Sequence, residues 1–354
     1  MHQDTSEFEE ADYLAANPDV AAAVRSGAFS SGADHYARHG RHENRVTKLS
    51  ERSAPLRLPF PAGVSPSRRD KFLANLDLHS LDGLEIGALA SPIVSSSEGS
   101  VFYVDHADTE TLRTKYANEP SIDVSRIVQV NAVWGENTLR DCIGKDRKVD
   151  YVVASHVIEH VPDLITWLSE IRSILRPTGT LRIAVPDRRY TFDYLRFESR
   201  LHDVLDAYLK RARAPSPRLI MEHNNLIRHV DCEAAWNGTI DPDALRPHWP
   251  TPARIGLEAA LNAINHGTYY DTHCWVFTPV SFADLFREIA DLDLLGFSCG
   301  HFFETSQNEI EFFVHLSPCD DKNKILASWV NMKATLLQST SYQRTIREGG
   351  TTKS

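Results

Sequence analysis

A chain of 354 residues, 42% hydrophobic and 24% charged, has the composition of a globular protein and enough length for an α/β domain with sizeable additions. Its net charge of −10, from 38 basic against 48 acidic side chains, disfavours a nucleic-acid partner, because phosphate backbones are held by Lys and Arg through counterion release. No apolar run reaches the ~18 to 20 residues that span a bilayer, the N-terminus MHQDTSEFEEADYL is acidic where an export signal is basic and then apolar, and the five cysteines form no C-x-x-C pair, so a cytoplasmic protein without disulfides or a zinc ribbon is expected.

From Ala11 to Arg45 the sequence reads as two or three short helices, broken at Asn17-Pro18, Gly27 and Gly40, so an N-terminal helical module over residues 1–46 is expected. Its NPDV, G-x-F, HY and G-x-x-E-x-R landmarks resemble a short helical motif that recurs in bacterial proteins handling surface polysaccharides. That resemblance implies glycan-assembly proteins as partners; a docking appendage is the plainer reading. Residues 47–68 concentrate Pro, Ser and Arg without a hydrophobic period, the composition of a linker.

After residue 69 short β-branched or apolar runs alternate with helical patterns: GLEIG (83–87), VFYVD (101–105), RIVQV (126–130), DYVVAS (150–155) and TLRIAVP (180–186). Alternation of this kind predicts a doubly wound, mostly parallel sheet. Near the end, LLGFSCGHFFE (294–304) and EIEFFVHLS (309–317) are strand-like and separated by only four residues. A parallel return needs a dozen or more connecting residues, so these two form an antiparallel hairpin. The expected fold is α/β: a seven-stranded sheet closed by that hairpin within a domain over 69–320, then a C-terminal helix and tail over 321–354.

The first strand ends in Glu85-Ile86-Gly87, and Asp105 closes the second strand twenty residues after Glu85. A strand, a tight turn and an acid at that distance suit a nucleoside whose ribose hydroxyls are gripped by a carboxylate. A pyrophosphate needs more glycine than the single Gly87 offers, whereas S-adenosylmethionine carries no phosphate and tolerates the bulkier turn.

The segment VDYVVASHVIEHVPDLITWLSEIRSILRPTGTLRIAVPDRRYTFDYLR, from Val149 to Arg196, resembles the fourth-strand, helix and fifth-strand region of the class I small-molecule methyltransferases grouped as type 11. With the first two motifs, the likeness covers roughly residues 80–195 and the hairpin. It implies S-adenosylmethionine as cofactor, with Glu85 and Gly87 near the methionine moiety, Asp105 on the ribose, and Ser155 and His156 beneath the sulfonium. Where that family often has an aspartate near the adenine, this chain offers Asn131.

About ninety residues separate Pro186 from Thr278, far beyond the usual 2 to 6 residue connection. They are expected to form a helical cap over the acceptor at the carboxyl ends of the strands (186–278). With ten Lys/Arg and ten Asp/Glu between Pro186 and Pro250, the cap is no basic platform. Its Trp236, Trp249, Tyr269, Tyr270 and Trp275 either stack on a sugar ring or fill the cap core.

Methyl transfer to an alcohol needs a base. His160, directly after the fourth strand, is the leading candidate; otherwise it caps the following helix while Glu159 faces solvent. Asp187, directly after the fifth strand, is the second. Tyr190, Asp193, His223, His273 and Trp275 are candidate acceptor-side residues. His223, His229, Asp231, Cys232, His273 and Cys274 match no compact ligand spacing, and no metal is expected. The sequence thus predicts a methyltransferase acting on a sugar or other small molecule, most readily O-methylation of a surface glycan or its precursor. The alternatives are a methyltransferase for another small molecule or a protein, and a non-catalytic scaffold of a glycan-assembly complex.

Overall fold

The computed structural model describes residues 8–42, 45, 47, 66–135 and 137–339; most of the expected linker and the tail beyond 339 lie outside them. Seven strands form one sheet in the order β3-β2-β1-β4-β5-β7-β6. Their ranges are β1 Asp82–Ile86, β2 Ser100–Asp105, β3 Ala132–Val133, β4 Val149–Ser155, β5 Leu175–Pro186, β6 Phe297–Phe303 and β7 Glu311–Pro318. The pairs among β1 to β5 are parallel, while β7 runs antiparallel to both β5 and β6. The short link between β6 and β7 leaves no room for a crossover, as their spacing requires.

The central strands read as unbroken apolar runs because both faces of the sheet are covered. On β4, Val152 and Ala154 join the larger core with Ile183, Leu168 and Phe282, while Tyr151 and Val153 face a second core with Phe72, Ala184 and Phe313. Successive side chains of a strand point to opposite faces. The larger core is closed by the helices Leu164–Ile174, Pro279–Asp291 and Lys322–Gln338, the last contributing the fully buried Trp329. The C-terminal helix is therefore part of the main core. Gly83 on β1 is required by packing: a Cβ there would stand 2.0 Å from Cζ of Tyr151.

The second face is covered near β5 and β7 by the short helix Arg68–Leu73, fastened by polar anchors. Arg182, buried on β5, donates from Nη1 to the carbonyls of Phe72 and Ala74 at 2.6 Å each. The buried Lys71 ammonium reaches Glu309 at 2.6 Å and Ser306 at 2.9 Å.

Two local expectations fail. RIVQV is not a strand: the Val128 N–H donates to the Leu89 carbonyl and the Val130 N–H to the Thr109 hydroxyl. Pairing with β2 begins only at Ala132. Nor does a helix follow β1, because residues 87–99 hold turns and bends. The Glu85 carboxylate takes the N–H groups of Ile93 and Val94 at 2.7 and 3.1 Å, which folds that segment back on the strand end. The LRPTG segment lies within an irregular start of β5, Leu175 pairing with Val149 and Thr180 with Tyr151.

The cap leaves the sheet at Asp187 and returns at Phe277, and these two residues form a parallel bridge. The Arg188 N–H donates to the Phe277 carbonyl at 2.9 Å, and the Ser199 N–H to the Val276 carbonyl at 3.0 Å. In between run the helices Leu201–Lys210, Pro217–Leu226, Cys232–Trp236 and Pro252–His266. The N-terminal helices Glu10–Ala16, Pro18–Arg25 and Gly32–His35 are knit by a hydrogen bond of 2.9 Å between the Tyr13 hydroxyl and His35 Nδ1. No helix among the described residues is long and apolar enough to cross a membrane.

Candidate active site

The carboxyl ends of β1, β2 and β4 lie side by side in the sheet, which gathers the predicted cofactor residues at one edge. Glu85 is buried at the end of β1; burial pushes its carboxyl up to about 7, against the opposing pull of the Ile93 and Val94 N–H groups. Gly87 follows in the left-handed region at φ 72°, and a Cβ there would stand 3.2 Å from Val157 Cγ2. The turn therefore passes close against the end of β4. At the end of β2 the buried Asp105 carboxylate accepts from the His106 N–H at 2.7 Å and meets His106 Nδ1 at 2.7 Å, both through Oδ1.

Asn131 has a structural engagement: its side-chain carbonyl accepts from the Tyr103 N–H at 2.7 Å, and its own N–H donates to the Tyr103 carbonyl at 2.8 Å. It extends the β2 edge, and its carbonyl oxygen is committed there. Ser155 accepts from Arg68. Arg68 also holds Glu311 at 2.6 Å, and Glu311 bonds Nε2 of His156 at 2.6 Å. Burial alone would raise the Glu311 carboxyl, but the bonds from His156 and Arg68 outweigh it and hold the group below its ordinary value. Nothing in the sequence pointed to Arg68 or Glu311, which reach the strand end from remote segments.

The candidate acceptor-side residues gather around residues 158–160, a short 3-10 turn after β4. His160 does not cap the next helix; Asp163 does, accepting from the Thr166 N–H at 3.0 Å. Nδ1 of His160 is instead bonded to Asp271 at 2.7 Å. Burial pulls the imidazole pKa down, but Asp271, Glu159 and Asp193 outweigh it and hold the group above its ordinary value. Glu159 does not face solvent: it is 1% exposed, because its backbone carbonyl accepts from the N–H groups of Cys274 and Trp275 at 2.6 and 3.2 Å. That docking turns the residue inward beneath the returning segment of the cap.

His273 packs edge-on against His160, ring centres 4.7 Å apart, and its Nδ1 bonds Asp193 at 2.6 Å. The Asp193 carboxylate is buried, which alone would raise its pKa, but His273 and Arg196 hold it far below the usual range. Arg196 bonds it at 2.9 Å and is itself buried. His223, whose Nδ1 lies 3.4 Å from Arg196, is driven down to about 3 by burial and the neighbouring guanidinium. It is a neutral imidazole near pH 7.

The other acceptor-side candidates divide. Tyr190 is buried against Trp236, ring centres 4.9 Å apart, and burial lifts its hydroxyl to about 12. Trp275 is core: it is 1% exposed and donates from Nε1 to the Val161 carbonyl at 2.6 Å. Asp187 is fully buried and saturated, bonded through both oxygens by Arg189, with Thr305 at 2.8 Å. A carboxylate so held has no oxygen left for a proton from an acceptor, which removes the second base candidate. His229 stacks on His248 rather than on the His160 group.

The raised Glu85 carboxyl carries a test. The folded chain keeps this proton up to about pH 7, whereas an unfolded chain releases it near 4.5. The folded state thus binds more protons across that window, and ligand-free stability falls as pH rises through it. The expected loss is up to about 3 kcal/mol. Urea midpoints of the wild type and Glu85→Gln between those pH values should diverge by this trend, and parallel curves would count against it.

The family model described as a methyltransferase domain matches residues 62–295. A protein of 37.1 kDa in transposon TN4556 of Streptomyces fradiae is 31% identical over 122 residues, 34% of this chain and 32% of that protein; the match thus spans about a third of that relative's length. Among solved structures, similarity extends to a proposed zinc-dependent alcohol dehydrogenase of Rhodobacter sphaeroides (14% identity, 72% of this chain and 91% of that one, TM-score 0.39). It extends also to the CcbJ methyltransferase of Streptomyces caelestis (12% identity, 73% and 99%, TM-score 0.32). The glycopeptide N-methyltransferase MtfA in complex with sinefungin is 17% identical over 34% of this chain and 54% of that one, with a TM-score of 0.25. Likenesses at these scores carry no detail of the site.

Proposed function

The chain belongs to the methyltransferase-domain family, and from that premise we propose that it transfers the methyl group of S-adenosylmethionine to a hydroxyl of a small-molecule acceptor, a sugar of a surface glycan or its precursor. The observation that carries the hydroxyl is the His160–Asp271 pair at 2.7 Å, beside the end of β4. An alcohol needs its proton removed as the carbon–oxygen bond forms, and an imidazole with a carboxylate behind it is a group that takes one. Asp271 holds Nδ1, so Nε2 is the proton acceptor. The sugar is supported by the N-terminal motif resemblance and by a cap whose charges balance.

The donor residues fit S-adenosylmethionine in kind: a buried carboxylate and a left-handed glycine at the end of β1, and a carboxylate at the end of β2. Asp105 would grip the ribose hydroxyls, Glu85 and Gly87 the methionine end, and Ser155 and His156 would underlie the sulfonium. The bound cofactor supplies the methyl group. Asp105→Ala is expected to weaken S-adenosylmethionine binding by about 1 to 3 kcal/mol, the range for losing a charged hydrogen-bond partner; calorimetry giving wild-type affinity would remove Asp105 from the ribose site.

The acceptor is tested by mass spectrometry of cell-surface glycans with and without the gene. The reading expects each modified sugar to lose the mass of one methylene. Unchanged glycans, with methyl transfer from purified enzyme to another small molecule or a protein, would replace the sugar and keep the family reaction.

A further inference from the structure

We propose that Glu159, His160 and His273 hold a divalent transition-metal ion between the end of β4 and the cap. One ligand atom from each lies within 4.8 Å of the other two, with His160 Nε2 4.0 Å from Glu159 Oε1. The Glu159 carboxylate is what calls for a cation. It is 1% exposed, and neither oxygen has a hydrogen-bond partner. The nearest ionisable neighbours are imidazoles, His160 and His156, whose Nδ1 stands 3.5 Å from Oε1. A buried carboxylate without a partner is strongly disfavoured, and charged groups in such places are paired or coordinate metals.

Both histidines are already oriented as metal ligands are. Nδ1 of His160 is held by Asp271 at 2.7 Å, and Nδ1 of His273 by Asp193 at 2.6 Å. A carboxylate on the far nitrogen fixes the tautomer and leaves Nε2 with its lone pair for the ion. An ion at about 2.1 Å from each ligand draws the three atoms to within roughly 3.4 Å of one another, a closure of up to about 1.4 Å that side-chain rotation supplies. Two imidazoles and one carboxylate suit zinc, iron or cobalt better than magnesium, and three ligands leave positions open. The spacing of the cap histidines and cysteines gave no ligand motif, because two of the three ligands lie more than a hundred residues upstream of the third.

The ion deepens the proposed methyl transfer and rests on it for the acceptor alone. Open positions favour an acceptor with two adjacent oxygens, a vicinal diol. The bound hydroxyl is acidified by the ion: its O–H bond breaks, the pair stays on oxygen and the proton passes to solvent. The oxygen then attacks the methyl carbon as the S–C bond breaks and its pair returns to sulfur. In this loaded form His160 Nε2 is a ligand, and it is the base only in the metal-free form.

The test is titration of the chelator-stripped, full-length chain with Co2+, followed by visible absorption and by metal analysis after dialysis. One ion per chain is expected, with uptake lost in Glu159→Gln and in His273→Asn and weakened ~10- to 100-fold in Asp271→Asn, which only orients a ligand. Glu159→Gln should leave the melting temperature of the stripped protein at or above the wild-type value, since it replaces a buried carboxylate that has no hydrogen-bond partner by a neutral amide of the same shape, so lost uptake is not mistaken for unfolding. Absence of a Co2+ band, or equal uptake by wild type and Glu159→Gln, would overturn the site. Calorimetry with S-adenosylmethionine on the same samples reads the proposed function separately: lost cofactor binding with intact Co2+ uptake sinks that reading and supports the ion, and the reverse leaves His160 as a base without metal.

Discussion

Replacing His160 by alanine should lower turnover by ~10²- to 10⁴-fold while cofactor affinity and melting temperature stay close to wild type. The structure separates these quantities. The cap of the helix Leu164–Ile174 belongs to Asp163, so the substitution removes no helix terminus. Asp271, the partner that would be left alone, has a side chain 56% exposed and returns to water without a buried charge. With the His160 side chain one-third exposed, the cost stays near the usual ~1 kcal/mol of a point substitution. What is lost is the nitrogen proposed to face the acceptor, whether it takes the proton itself or holds the ion that acidifies it. Single-turnover methyl transfer measured beside metal content distinguishes the two: a loss at constant metal content marks a base, and a loss that tracks falling content marks a ligand. Near-normal turnover would take His160 out of the chemistry altogether.

The second large effect is on stability. Asp193→Ala is expected to destabilise the fold by about 3 to 5 kcal/mol, the range for breaking a buried ion pair from one side. Asp193 and Arg196 are 2% and 1% exposed and meet at 2.9 Å. Without the carboxylate the guanidinium keeps Glu222, 3.4 Å from Nε, and the neutral His223, 3.4 Å from Nη1, and His273 loses the group that orients it. The gain from this carboxylate is present above the ordinary aspartate range and disappears as acid protonates it, so the mutant and wild-type curves should converge at low pH. Urea unfolding at neutral pH, with the slope unchanged, measures the difference. A shift below about 1 kcal/mol would mean the pair is far better solvated than its burial indicates.

Much of the sheet was legible because its residues answer to one constraint each. Tyr151 and Val153 alternate with Val152 and Ala154 across two cores, and the short gap before Glu311 admits only a hairpin. RIVQV misled because an apolar run says nothing about what its backbone bonds to, and here a threonine hydroxyl and a loop carbonyl take the place of a strand. The missing helix after β1 has a similar origin in the Glu85 carboxylate. In the candidate site, His160 draws notice in the sequence by its place at a strand end. Its partner Asp271 lies 111 residues away, with no spacing to announce it. Asp187 was misjudged although the answer stood two residues on: Arg189, in the run Asp-Arg-Arg, closes back on it. The alternative of a solvent-facing Glu159 fails because the Cys274 and Trp275 N–H groups that pin its backbone come from the returning end of the cap, more than a hundred residues on.

The bridge between Asp187 and Phe277 bears on how such a protein can change over evolutionary time. An excursion of about ninety residues begins and ends at neighbouring points of a rigid framework, so the closure part of its cost grows only with the logarithm of its length, about 0.6 kcal/mol for each doubling. Length changes in its exposed connections, away from Val204 and Leu219, which belong to the main core, then leave the strands in register. Those connections are free to diverge in length and shape while the strand ends that carry Glu85 and Asp105 are held still by the sheet.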